Sequence, residues 1–210
     1  KNNGIYFTPP SIIAKTVKAL FPYFKNITDI LEPSCGSGEF LQRFERFPRF
    51  NIDAIEFNEI IYNSIKDKFK SNILNTDFLE WNTNKKYDLI IGNPPFYVMK
   101  KQSIKNNKYE HYYTGRPNIF VLFIGKALEM LKNNGILAFV LPKNFMNCLY
   151  YDNLRKHIST NYKIIDIIEC YEDKYLETQQ DTVVLIIQNQ NCVLNNPNFI
   201  EYYLHYYFNW

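Results

Sequence analysis

The sequence is poor in the residues that metal and redox chemistry need. It has 4 Cys and 3 His in 210 residues. Cys35, Cys148, Cys170 and Cys192 are far apart, no CxxC pair occurs, and no HxH or HxxxH spacing is present. This excludes a zinc finger and a thioredoxin-like motif, so no metal is expected. Scattered cysteines fit a reduced, intracellular compartment, and the expected location is cytoplasmic. No apolar run is long enough to span a bilayer, and the N-terminus lacks a signal-peptide core, so no membrane partner is expected. Internal repeats and low-complexity linkers are missing too. Nor is there an excess of one charge: 24 Lys and Arg face 21 Asp and Glu, a net +3. That permits nucleic-acid binding without arguing for it. The chain opens on Lys1 rather than Met, which reads as trimming.

What is present is a globular balance, 46% hydrophobic and 21% charged. Short apolar runs alternate with helical patterns, the signature of an open α/β sheet. Thr8-Pro9-Pro10 reads as an N-cap and first turn, followed by a stripe of Ile13, Val17 and Leu20 that stops near Pro22. Strands are expected over 30–32, 52–56, 73–75, 87–92, 135–141, 164–169 and 182–188. Helices are expected over 38–47, after the cap Asn58, over 118–132, and as turns between 145 and 160. Asn133-Asn134-Gly135 is read as the stop of the 118–132 helix. Residues 97–117 lack periodicity and read as a long loop.

In a doubly wound sheet, ligands bind at the carboxyl ends of the strands. Those ends here read Glu32-Pro33-Ser34-Cys35-Gly36-Ser37-Gly38, Glu56-Phe57-Asn58, Asp77-Phe78 and Asn93-Pro94-Pro95-Phe96. The Gly36-x-Gly38 turn lets backbone approach a ligand, although many tight turns need the same. Glu56 closes an apolar strand where an acid can accept both hydroxyls of a ribose; a solvated strand-end acid is the plain alternative. Asp77-Phe78 suits an adenine amine and ring, or equally a cap beside a core Phe. Succession at neighbouring strand ends strengthens all three. Asn93-Pro94-Pro95-Phe96 is the most specific. Its prolines remove two N–H donors and stiffen the chain, so the Asn side chain and a proline carbonyl stand as neighbouring acceptors with an aromatic ring beyond.

These motifs resemble the amino-methyltransferase family of DNA N6-adenine methyltransferases, in the motif order of the gamma class. Gly4-Ile5-Tyr6-Phe7-Thr8-Pro9-Pro10 is similar to the N-terminal cofactor motif, and Leu31 through Gly38 to the main cofactor loop. Asn93-Pro94-Pro95-Phe96 resembles the catalytic motif in its Phe variant. Leu131-Lys132-Asn133-Asn134-Gly135, Leu141-Pro142-Lys143 and the strand from Asp181 to Ile187 resemble later motifs. The resemblance implies a Rossmann-like, seven-stranded mixed sheet with a reversed final hairpin. It also implies S-adenosylmethionine held by Tyr6, Thr8, Glu32, Ser34, Gly36, Gly38, Glu56, Phe57, Asp77, Phe78 and Asn93.

The implied reaction is methylation of a flipped adenine in double-stranded DNA, with Asn93, Pro94, Pro95 and Phe96 as catalytic residues. Phe96, Lys100, Lys101, Arg116 and Tyr175 are expected to meet the substrate, Tyr171 being an alternative to Tyr175. Lysines and tyrosines interleaved over 97–117 read as a mobile lid or as a solvated loop. Residues 1–190 read as the catalytic domain. Residues 191–210 read as a C-terminal extension, the start of a linker to a target-recognition domain, whose role a separate specificity subunit would otherwise fill. The same Asn-Pro-Pro chemistry also serves RNA adenines and protein glutamines, and a cofactor-binding scaffold is a third reading.

Overall fold

The computed structural model describes residues 8–100, 107–170 and 181–190. Apolar runs of four to seven residues become strands because both sheet faces are covered. β1 (Asp29–Glu32), β2 (Asn51–Glu56), β3 (Asn72–Asn75), β4 (Tyr87–Gly92) and β5 (Leu131–Pro142) are parallel; β7 (Thr182–Gln188) runs antiparallel between β5 and β6 (Lys163–Glu169). The seven strands lie in the order β3-β2-β1-β4-β5-β7-β6, which is the expected mixed sheet with a reversed final hairpin.

Alternate residues of each strand serve opposite layers. Ile30, Leu89 and Ile91 face the core formed with α1 (Pro10–Leu20), α2 (Glu39–Phe44) and Ile65 of α3 (Glu59–Ile65). Leu31, Ile90 and Leu137 face the core beneath α4 (Ile119–Glu129) and α5 (Asp152–Asn161). The chain steps outward from β1 to β3, then returns to the other side of β1 as β4. The carboxyl ends of β1 and β4 therefore adjoin while their connections lead to opposite sides of β1, the topological switch point at which open α/β sheets form a ligand crevice.

Three local expectations need correction. Thr8 is not the cap of α1: Pro9 is, with φ −55° and ψ 140°, and it makes no side-chain cap bond. Asn58 does cap α3, its Oδ1 accepting from Ile60 N at 3.0 Å and Ile61 N at 3.2 Å. Asn133-Asn134-Gly135 does not stop α4, which ends at Glu129; Asn134, with φ 62°, lies inside β5. The turn signal there serves a bulge, because β4–β5 pairing jumps from Tyr87–Leu131 to Leu89–Ile136. The bulge brings Lys132 Nζ to Asp29 at 2.7 Å and Asp88 at 3.0 Å.

The third correction concerns 97–117. Asn107–Tyr112 is a 3₁₀ helix, and Tyr109, Tyr112 and Tyr113 are buried. Lys108 pairs with Glu129 at 2.6 Å, and the Tyr109 hydroxyl donates to the same carboxylate at 3.2 Å. Three of the expected lid tyrosines are therefore core. The sequence hid this because their partner surface, α4, is apolar on nearly every side and gives no period to match.

Gly125 of α4 allows that packing: a Cβ there would lie 2.8 Å from the Tyr109 ring and 3.0 Å from the Tyr112 ring. Gly to Ala inside a helix ordinarily stabilises by up to about 1 kcal/mol. Here Gly125→Ala should instead destabilise by about 1 kcal/mol or more, because the rings must move. Urea unfolding of the two proteins decides the sign.

Candidate active site

Each strand end contributes one group. Glu32 closes β1, is 3% exposed, and its Oε2 has no hydrogen-bond partner. The chain then turns sharply, with Gly38 N donating to Cys35 O at 2.8 Å. Gly36 and Gly38 have φ of 52° and 85°, and a Cβ on Gly38 would strike the Phe69 ring at 2.5 Å. Packing excludes a side chain at Gly38 and the positive φ disfavours one at Gly36, so the loop presents bare backbone.

Glu56, at the end of β2, fastens this loop. Its Oε2 accepts from Gly36 N at 2.9 Å and its Oε1 from Asn58 N at 2.7 Å. Each oxygen keeps a further lone pair for a ligand hydroxyl. Asn75 pairs with Glu56 across the β2–β3 register, and its Nδ2 donates to the carbonyls of Glu56 at 2.8 Å and Phe57 at 3.2 Å. Sequence reasoning missed Asn75; an Asn ending β3 beside an acid ending β2 was the available signal. Phe57 follows, 74% exposed, with an open ring face.

Asp77 Oδ1 accepts from Leu79 N at 2.8 Å, which makes it a turn cap. Phe78, read as a stack for a ligand ring or equally as a core residue, is 1% exposed, with Phe123 at 4.9 Å and Lys126 Nζ 5.2 Å from its centroid. Its ring anchors Asp77 to the core. Beyond Asp77, a cavity of about 250 Å³ lies toward α4, lined partly by Trp81, Met99 and Lys126. The Lys126 ammonium donates to the carbonyls of Leu79 and Trp81, so two of its three N–H donors are already used. Of the expected site residues only Asp77 lines that cavity, and the strand-end crevice fits the chemistry better.

Asn93 follows β4. Its carbonyl accepts from Ser34 Oγ at 3.1 Å, which ties the two loops together across the crevice. Its side-chain Oδ1 is buried and has no partner. Pro94 is buried and Pro95 half-buried. The Phe96 ring meets Phe120 edge-on at 6.2 Å. Tyr97 and Met99 bond to Ile119 and Pro117, both at 2.9 Å, so the motif is braced against the start of α4.

Among the described residues, four buried side-chain atoms lack a partner: Glu32 Oε2, Asn93 Oδ1, Asn118 Oδ1 and Thr182 Oγ1. Buried polar groups are nearly always paired, so each exception asks for a reason. All four belong to one edge of the sheet. Glu32 ends β1, Asn93 follows β4, Asn118 precedes α4, and Thr182 pairs with Pro142 at the end of β5. Asn118 and Thr182 were not singled out from sequence, where nothing marks an isolated Asn or Thr.

Thr8 is buried before α1, and Lys100 and Arg116 are exposed beside 97–99 and 117. Tyr6, Lys101, Tyr171, Tyr175 and the 191–210 extension lie outside the described residues. Among those described, no cluster of His, Cys, Asp or Glu could hold a metal ion, and no helix is long and apolar enough to cross a membrane.

The crevice is acidic. Burial holds the Glu32 carboxyl well above the ordinary range, and the charges of Glu39 and Glu56 push it further. Burial raises Glu56 as well, against the opposing pull of its N–H donors, and it raises Glu39. Cys35 is pushed up by burial and by Glu32 and Glu56, so it offers no thiolate nucleophile.

A sheet of this order, with its last strand reversed beside β5, defines the class of S-adenosylmethionine-dependent methyltransferase folds. A Listeria monocytogenes protein described as a class I methyltransferase of this kind superposes with a TM-score of 0.76 at 18% identity, over 94% of this chain and 65% of that one. A DrdV–DNA complex gives 0.70 at 18% identity, over 89% and 27%. The profile of the Eco57I restriction-modification methylases matches residues 11–176, and the chain belongs to that family. It is 34% identical to the modification methylase CviBIII of Paramecium bursaria Chlorella virus NC1A, over 89% of this chain and 50% of that protein. It is 30% identical to the type II methyltransferase M.HincII of Haemophilus influenzae, over 94% and 39%. The chain thus spans about half or less of these relatives' length.

The raised carboxyls give a testable pH dependence. An acid whose folded pKa exceeds its unfolded value destabilises the fold progressively as pH rises from the unfolded value to the folded one. Glu32→Gln cannot ionise. Its stability should match the parent's near about pH 4 and exceed it increasingly above about pH 5. Urea unfolding across that range would show parallel curves if Glu32 were ionised in both states.

Proposed function

We propose that the chain is the catalytic domain of a DNA methyltransferase that moves a methyl group from S-adenosylmethionine to N6 of an adenine turned out of the duplex. The observation that carries this reading is the buried, partnerless Asn93 Oδ1 at the head of the Asn-Pro-Pro-Phe turn. Family membership and the type II methyltransferase names of the relatives support it.

The crevice suits this cofactor. Its acids favour a cation, the glycine turn admits a close backbone approach, Glu56 retains lone pairs for ribose hydroxyls, and the exposed Phe57 ring suits adenine. When bound, the cofactor supplies an electrophilic methyl on a sulfonium. The Asn93 oxygen and the Pro94 carbonyl accept the two N6 hydrogens and draw the amine toward tetrahedral geometry. The lone pair, otherwise delocalised into the ring, then points outward, and the same acceptors stabilise the developing positive charge. Pro95 stiffens the turn, and Phe96 stacks on the base, worth roughly 1–3 kcal/mol. Reaching this site requires base flipping. The greater length of the relatives supports a target-recognition region beyond this domain or in a partner subunit, within a restriction-modification system.

Two variants test the reading. In the full-length protein, Asn93→Ala should hold cofactor affinity within a few-fold while methyl transfer falls by about two orders of magnitude or more. Labelled cofactor with DNA, RNA and protein substrates, followed by identification of the methylated base, decides the substrate. Product other than N6-methyladenine in DNA would overturn the assignment. Glu56→Ala should weaken cofactor binding by roughly 1–3 kcal/mol, read by calorimetry. An unchanged dissociation constant removes Glu56 from the site.

A further inference from the structure

Seven large hydrophobic side chains stand exposed among the described residues. Phe57 and Ile60 follow β2, and Phe21 opens the 3₁₀ turn that follows α1. The other four are Tyr97, Val98, Leu149 and Tyr150, and they belong to loops that follow the carboxyl ends of β4 and β5. Leu149 is 83% exposed and Tyr150 58%. These loops touch. Thr114 N donates to Tyr150 O at 3.3 Å, and a Cβ on Gly115 would meet the Tyr150 ring at 3.6 Å.

The ridge is rigidly joined to the catalytic turn. Tyr151, next to Tyr150, is buried; its ring lies 5.0 Å from Phe120, which in turn packs edge-on against Phe96. Phe145 closes the cluster at 6.0 Å from Phe120 and 6.1 Å from Tyr151. Arg155, itself buried, donates to the carbonyls of Phe145 and Cys148, both at 2.8 Å, and so fixes the backbone on which Leu149 stands. Side chains this apolar, held out by a buried framework, cost solvation and are not slack loop residues. Lys100 and Arg116, exposed near the ridge, form no ion pair among the described residues.

We propose that Leu149 and Tyr150 form a wedge that meets double-stranded DNA beside the extruded base, with Arg116 and Lys100 taking phosphates on either side. This rests on the reading of the domain as a DNA methyltransferase. The chemistry follows from flipping. Extruding a base breaks its stacking on both neighbours, and an apolar side chain inserted at that step restores part of the lost contact. The wedge must sit at a fixed distance from the turn that receives the base. The Phe96–Phe120–Tyr151 contacts supply that rigidity.

The test uses the full-length protein and a duplex carrying the adenine it methylates, located by the product analysis, with 5-iodouracil at the positions flanking that adenine. Photocrosslinked peptides should map to Tyr150, and Leu149→Ala with Tyr150→Ala should weaken duplex binding by about tenfold or more. Cofactor affinity and melting temperature of the double variant should stay unchanged. Crosslinks elsewhere with unchanged duplex affinity would overturn the proposal. A lowered melting temperature with unchanged duplex affinity would overturn it too, because the ridge would then be covered by protein. Loss of the methyltransferase reading itself would register separately, as absence of methylated DNA in the product analysis.

Discussion

The Ser34–Asn93 bond spans the point where the sheet's winding reverses, and the geometry of the crevice depends on it. β1 and β4 are neighbours in space but 59 positions apart where this bond forms. Nothing local holds their two loops in register. Glu56 fixes the β1 loop from one side through Gly36 and Asn58, and Ser34 carries that fixation to the Asn-Pro-Pro-Phe turn. The crevice is thus braced by polar bonds to backbone. This leaves the side-chain acceptors Glu32 Oε2 and Asn93 Oδ1 without donors of their own. A partnerless buried acceptor costs roughly 1–3 kcal/mol. A ligand that supplies the donors returns that stability through mass action.

The sheet was legible because its strands are buried on both faces and flanked by turn residues. Tyr87–Gly92 and Thr182–Gln188 came out with the predicted ends. Failures came where one residue type signals two structures. Asn-Asn-Gly reads as a helix stop because Asn and Gly tolerate positive φ, and a bulge needs the same tolerance. The 107–113 tyrosines read as a lid because their chain has no period. Their burial depends on α4, a helix apolar almost all round, and such a helix does not announce which neighbour covers it.

At the site, legibility followed covalent chemistry. Glu56, Gly36, Gly38 and the Asn-Pro-Pro-Phe turn are visible because type and spacing constrain each other. Phe78 kept two readings because an aromatic after a strand-end acid fits a ligand ring and a core equally well, and only the packing of Phe123 and Lys126 separates them. Asn75, Asn118 and Thr182 were invisible for a different reason. Each matters through the register or orientation of a neighbouring strand, which no single segment encodes.

The two orphaned acceptors on β1 and β4 also explain why one is a carboxylate and the other an amide. Glu32 can relieve its isolation by taking a proton, and burial beside Glu39 and Glu56 drives it that way. A cationic ligand reverses this by favouring the charged form, so an acid suits a binding role. In the proposed reaction, the acceptor that faces the substrate amine must accept in every state. An Asp at position 93, buried in the same acidic crevice, would have its pKa raised and would spend part of its time protonated. One of its two oxygens would then carry the proton and donate, leaving only the other as an acceptor. Asn cannot titrate, and its oxygen remains an acceptor at any physiological pH. It gives up the strength of a charged acceptor for constancy. That exchange is favourable only because the neighbouring proline carbonyl, equally unable to titrate, supplies the second acceptor.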